Sequence, residues 1–145
     1  MSQAVDALNS ALAGEHAAIY GIGVLGARLA GARAARAESY RNAHRSARDA
    51  LIIRIATLGG QALAAEPAYQ VAVGGGVTAA LDQLAGIEER LADRYAELVL
   101  QTDPEIRKLA VGALRDCALR AAAWRGRAEI FPGLTEPRPT SAPTP

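Results

Sequence analysis

Cysteine is nearly absent from this chain. The single thiol, Cys117, has no partner for an internal disulfide, which fits a reducing compartment and leads us to expect a cytoplasmic protein. Lysine is as rare: Lys108 stands alone against fifteen arginines. The formal net charge is only +1, so no overall excess draws the chain to nucleic acid. Aromatic residues make up 4% of the sequence, too few to interleave with basic residues as stacking platforms for bases. Valine and isoleucine are few beside alanine, so a β-sheet would lack its usual residues. Long apolar runs are missing. The longest uncharged one, Ala17–Ala27, has eleven residues, three of them glycine, well short of the ~20 that span a bilayer. Nothing after Met1 has the form of a secretory signal.

What is present is alanine, the best helix former, within a chain that is 50% hydrophobic and able to bury a sizeable core. The first helix is expected from an N-cap at Ser2 to near Gly31. The second runs from about Arg33 to Leu58, where Gly59-Gly60 supply a stop. Gln61 to Gly76, with Pro67 and the Gly74-Gly75-Gly76 run, reads as irregular. The third helix runs from Thr78 to Gln101. At Thr102-Asp103-Pro104-Glu105 a cap, a first-turn proline and an acidic residue open the fourth. That helix is expected to reach about Phe131, before Pro132-Gly133. Residues 1–134 thus form one domain, and 135–145, mostly proline, threonine and serine, a disordered tail.

Connection lengths carry topology. Short joins make antiparallel hairpins of helices one and two and of helices three and four. The about sixteen irregular residues between them are long enough to cross the length of a bundle. The expected fold is therefore all-α: an antiparallel four-helix bundle with one long crossover between helices two and three.

Following the 4-3 hydrophobic spacing gives the inward stripes. In helix one the stripe is Val5, Leu8, Leu12, Glu15, Ile19, Ile22, Gly26 and Leu29. In helix three it is Val77, Leu81, Leu84, Glu88, Leu91, Tyr95 and Leu98. A single glutamate interrupts each near its middle. Helix two presents Arg41, His44, Arg48, Leu51, Ile55 and Leu58. Helix four presents Ile106, Ala110, Ala113, Cys117, Ala121, Trp124, Ala128 and Phe131. Glu15 lies about fifteen residues before a turn near Ala30 and His44 about fourteen after it, so at ~1.5 Å per residue they sit nearly level. Glu88 and Cys117 are level in the same way about Thr102. Two carboxylates and an imidazole are thus expected at the bundle centre. Buried carboxylates need a metal, a guanidinium or protonation.

This pattern resembles the ferritin-like superfamily, whose di-iron members use one Glu from each of two helices and a Glu-x-x-His from each of the other two. Three segments are similar, more narrowly, to a bacterial ferritin-like family of unknown function. They are Glu15-His16-Ala17-Ala18-Ile19-Tyr20-Gly21, the Tyr40 to Asp49 segment with His44, Arg45 and Asp49, and the ending Trp124-Arg125 with Phe131-Pro132-Gly133-Leu134. The resemblance implies Glu15, His44 and Glu88 as the metal ligands. Two departures stand against a complete di-iron site. Arg41 occupies the Glu of Glu-x-x-His, and helix four offers Arg115, Asp116 and Cys117 with no histidine.

Other signals have plain structural readings. Gly21-x-Gly23-x-x-Gly26 matches a dinucleotide fingerprint as a string, but lies inside a helical stripe where small residues let helices approach. His16, beside Glu15, points about 100° away from it, to the edge of the stripe. Cys117 reads as a small buried apolar residue. The arginines of helix two could bind phosphate if exposed, yet the stripe turns Arg41 and Arg48 inward. Tyr20 and Tyr40, about equally far from the first turn, are expected to pack together.

Two functional classes follow. In the leading one the chain is a binding or structural protein, a homodimer without cofactor. Its central site is degenerate: Glu15, Arg41, His44 and Glu88 form a buried network in which Arg41 replaces the metal. The alternative is an oxidoreductase holding iron or manganese through Glu15, His44 and Glu88. A small-molecule ligand in the space under the crossover is a third possibility.

Overall fold

The computed structural model describes residues 2–126, and four helices account for most of them: α1 (Gln3–Gly26), α2 (Gly31–Thr57), α3 (Gly76–Val99) and α4 (Pro104–Arg125). Ser2 caps α1, its hydroxyl accepting from the Val5 amide. Asp103 caps α4, accepting from the amides of Glu105 and Ile106 with Pro104 in the first turn. α2 stops where Gly59 enters the left-handed region at φ +72°, a conformation open to glycine at little cost. The expected end of helix four near Phe131 and the expected tail over 135–145 lie outside the described residues.

Side-chain contacts fix the directions of the helices. Gly26 of α1 meets Ala37 of α2, and Glu15 meets His44, so these two run antiparallel. Gly21 meets Ile87 of α3, while Gly14 meets Leu91 and Arg94, so α1 and α3 are antiparallel as well. Arg125 of α4 reaches back to Asp82 and Glu89 of α3. α2 and α3 therefore run the same way, and the segment between them must return along the bundle. It does so against α1. Gly60 packs on Val5, and Asn9 both donates to the Gln61 carbonyl and accepts from the Leu63 amide, at 3.0 and 2.8 Å. His16 bonds the Leu63 carbonyl, and the Tyr69 ring packs at a tilt against Tyr20. Such side-chain bonds give an irregular strap the backbone partners that it cannot supply itself.

The core is made largely of the inward stripes, although Val77, expected in that of helix three, is exposed. Leu8, Leu12, Ile22, Leu51, Ile55, Leu84, Leu91, Leu98 and Ile106 are fully buried, each burial being worth about 1.5–3 kcal/mol. A Cβ at Gly21 would stand 2.8 Å from Ile87 Cδ1, and one at Gly26 2.9 Å from Ala37 Cβ. These glycines are spacers between helices, as expected.

Three expectations need correction. Helix one ends at Gly26, about five residues early. Its last amides tighten into bonds to residues three back, Arg28 to Leu25 and Leu29 to Gly26, which turns Leu29 into the core. Helix two follows the expected stripe only in part: His44, Leu51 and Ile55 are buried, with Ala37, whereas Arg41 and Arg48 are half-buried and Leu58 is exposed. Tyr20 and Tyr40 do not pack together. Tyr20 pairs with Tyr69 of the crossover, and Tyr40 meets Trp124 of α4 edge-on with ring centres 5.4 Å apart.

Candidate buried ionic centre

Near the mid-height of the bundle, three polar residues are buried among the apolar stripes: Glu15 of α1, His44 of α2 and Glu88 of α3. Each occupies a core position of its helix for the reason given by spacing. Glu15 lies between Leu12 and Ile22, Glu88 between Leu84 and Leu91, and His44 between Ala37 and Leu51. His44 bridges the two acids. Its Nδ1 is 2.8 Å from Glu15 Oε2, and its Nε2 is 3.0 Å from Glu88 Oε1. The hydroxyl of Tyr95, also buried, donates to Glu15 Oε1 at 2.5 Å.

Both ring nitrogens of His44 thus face carboxylate oxygens. A neutral imidazole has only one N–H, so only the imidazolium donates to both. Burial by itself pushes the His44 pKa down, but the hydrogen bonds and charges of Glu15 and Glu88 outweigh it and raise the pKa to about 9. At neutral pH His44 is then the cation between two anions. Burial, and the nearby charge of Glu15, hold the Tyr95 phenol well above its usual value, so it remains a donor.

The fourth charge comes from α4. Arg120 Nη1 stands 4.0 Å from Glu88 Oε2, and its guanidinium lies over the Tyr40 ring, 5.6 Å from the centroid. Trp124 follows Tyr40, and Arg36 lies over Trp124, also at 5.6 Å. This alternation of cations and rings joins α2 to α4 and holds Arg120 in place. Glu15, His44, Glu88 and Arg120 together carry no net charge. Glu88 Oε2 is buried without a hydrogen-bond partner among the described residues.

The structure therefore brings together Glu15, His44 and Glu88 and leaves Arg41 out, which corrects the expected network. Arg41 Nε donates to the Ile19 carbonyl at 3.2 Å, its guanidinium packs where a Gly23 side chain would stand, and it retains 31% of its side-chain exposure beside Glu38. The inward stripe of α2 passes between Tyr40 and Arg41. One leans towards α4 and the other towards α1, and neither reaches the centre. Sequence reasoning missed Arg120. The available signal was its position three residues after Cys117, on the same helical face. Cys117 is buried, and its thiol is pushed upwards first by burial and then by the charges of Glu88 and Glu15. It remains a protonated thiol, which is not the state of a nucleophile. His16 sits at the edge of the stripe and serves the crossover.

Among the described residues no group of three or more His, Cys, Asp or Glu is arranged to hold a metal ion, and no helix is long and apolar enough to cross a membrane. The family model described as a domain of unknown function (DUF4439) matches residues 7–136. Among solved structures, a conserved hypothetical protein, rv2844, from Mycobacterium tuberculosis is similar: 28% identical, with a TM-score of 0.80, covering 87% of this chain and 98% of its own. No curated protein matches.

Proposed function

The chain belongs to the DUF4439 family, a domain of unknown function, and from its buried centre we propose a ferritin-like bundle whose metal site has been replaced by an internal ion cluster. In this reading it acts as a binding or structural protein, as a homodimer, without iron or manganese. Two antiparallel hairpins joined by one long crossover, with a charged cluster at mid-height, are the ferritin-like arrangement. The observation that carries the proposal is the bridging of His44 between Glu15 and Glu88. A metal ligand must offer a ring nitrogen free of its proton. Here both nitrogens face carboxylates, and Arg120 adds a positive charge beside Glu88. The residues do not fit a divalent cation in this arrangement.

The second reading is a metal-dependent oxidoreductase using Glu15, His44 and Glu88. One observation favours it: Glu88 Oε2 is buried and makes no hydrogen bond among the described residues. It would require His44 to lose its proton and turn away from one acid.

Anaerobic loading with Fe(II) or Mn(II), followed by metal analysis and thermal melting, separates the two. The ion cluster predicts well under one metal per chain and an unchanged melting temperature. One or two metals retained per chain, with thermal stabilisation from selective binding to the folded state, would overturn it.

A further inference from the structure

A second site lies outside the ion cluster and shares none of its residues. Between α1, α3 and the returning crossover there is a cleft of about 270 Å³. Its floor is Ala17, Ala18 and Gly21 of α1, and its apolar walls include Val71 of the crossover and Ile87 of α3. The floor is shallow in side chains because α1 and α3 approach closely at Gly14 and Gly21. The cleft is braced at both ends. Gln83 donates to the Ala72 carbonyl at 2.8 Å, tying the crossover to α3, and Arg94 donates to the Ser10 carbonyl at 2.7 Å, tying α3 to α1. A preformed concavity that combines an apolar surface with a few placed polar groups is a usual form of small-molecule site.

Charge sets the class of ligand. Arg90 and Arg94, one turn apart on α3, both line the cleft. No carboxylate lines it with them, and none of the ion pairs between described residues involves Arg90. Its nearest acidic neighbour in sequence, Glu89, is held by Arg125 of α4. The Arg90 guanidinium folds back along α3 towards Gly86, with Nη1 3.1 Å from where a Cβ would stand. It is thus laid along the cleft, with its forked donors free for an anion. The geometry points to a binding site for a small organic anion, a monocarboxylate with an apolar body. The carboxylate pairs with Arg90, and the body rests on Ala17, Ala18, Gly21, Val71 and Ile87. The volume suits a compact ligand and is too small for a dinucleotide.

Octanoate, with 1-octanol as its uncharged counterpart, tests this on the full-length protein. Amide shifts in ¹H–¹⁵N spectra should move saturably with octanoate at Ala17, Ala18, Gly21 and Val71. Arg90→Ala, an exposed position whose folding is checked by its melting curve, should weaken octanoate about tenfold, the scale of one charge-assisted hydrogen bond, and leave 1-octanol unaffected. Shifts confined to other surfaces, no saturable shift, or weakening by less than threefold in Arg90→Ala would overturn the assignment. Metal loading does not bear on the outcome, since the cleft and the ion cluster have no residue in common.

Discussion

Replacing His44 by glutamine removes the bridging cation from the buried cluster, leaving Arg120 beside Glu88, while roughly keeping the side-chain volume. In the wild type the imidazolium is stabilised by Glu15 and Glu88, and its pKa rises from 6.5 to about 9. A group whose folded pKa is raised contributes stability that is complete below its unfolded pKa and is lost as pH rises through the folded one. At 1.36 kcal/mol per pH unit, wild-type stability should fall by about 3 kcal/mol between pH 6.5 and pH 9. The Cys117 thiol and the Tyr95 phenol are also raised, but their ordinary values of 9.0 and 10.0 place their losses above this window. In His44→Gln the slope between pH 6.5 and 9 should vanish. At pH 7 the variant leaves two acids facing each other in the core, which should cost on the order of 3–5 kcal/mol. Urea unfolding at half-unit pH intervals measures both curves. ¹⁵N chemical shifts of the His44 ring at pH 7 report directly whether both nitrogens carry protons. A flat wild-type curve from pH 6.5 to 9, or a ring with one bare nitrogen at pH 7, would refute the ionic reading.

Two further expectations are simpler. Arg41→Glu should cost about 1 kcal/mol or less at pH 7, because the guanidinium is part-exposed and makes one bond to the Ile19 carbonyl; a loss of 3–5 kcal/mol in chemical denaturation would return Arg41 to the centre. Asn9→Ala removes the two Asn9 bonds to the crossover, at the Gln61 carbonyl and the Leu63 amide, and leaves the His16 bond to the Leu63 carbonyl in place. The Leu63 amide should then exchange its hydrogen much faster while the global melting temperature drops by only a few degrees, and unchanged protection at Leu63 would show that the strap is held by something else.

Much of the centre was legible beforehand. A glutamate that breaks an otherwise apolar 4-3 stripe is conspicuous in Leu8, Leu12, Glu15 and in Leu84, Glu88, Leu91, because burial of a charge has no local explanation. Counting residues from a turn also places Glu15 level with His44, since helical rise is constant. Helix two was harder. Between Ala37 and Leu51 it carries Tyr40, Arg41, His44 and Arg48, and amphipathic residues of this kind can lie inward, outward or along a neighbour. Periodicity alone cannot rank Tyr40 against Arg41.

Four helices, the caps at Ser2 and Asp103 and the order of the connections were all readable from local chemistry, namely alanine content, cap residues, the stop at Gly59 and a connection too long for a hairpin, whereas the early end of α1 at Gly26 was not. Tertiary structure alone decided which cation answers the two acids. His44 could bridge them only once α2 packed on α1 with its inward face turned across the bundle towards α3. Arg120 stands near Glu88 with its guanidinium over the Tyr40 ring, a placement that needs α2 and α4 side by side. The sign and place of a buried charge depend on distances between helices, and a one-dimensional spacing pattern does not contain them.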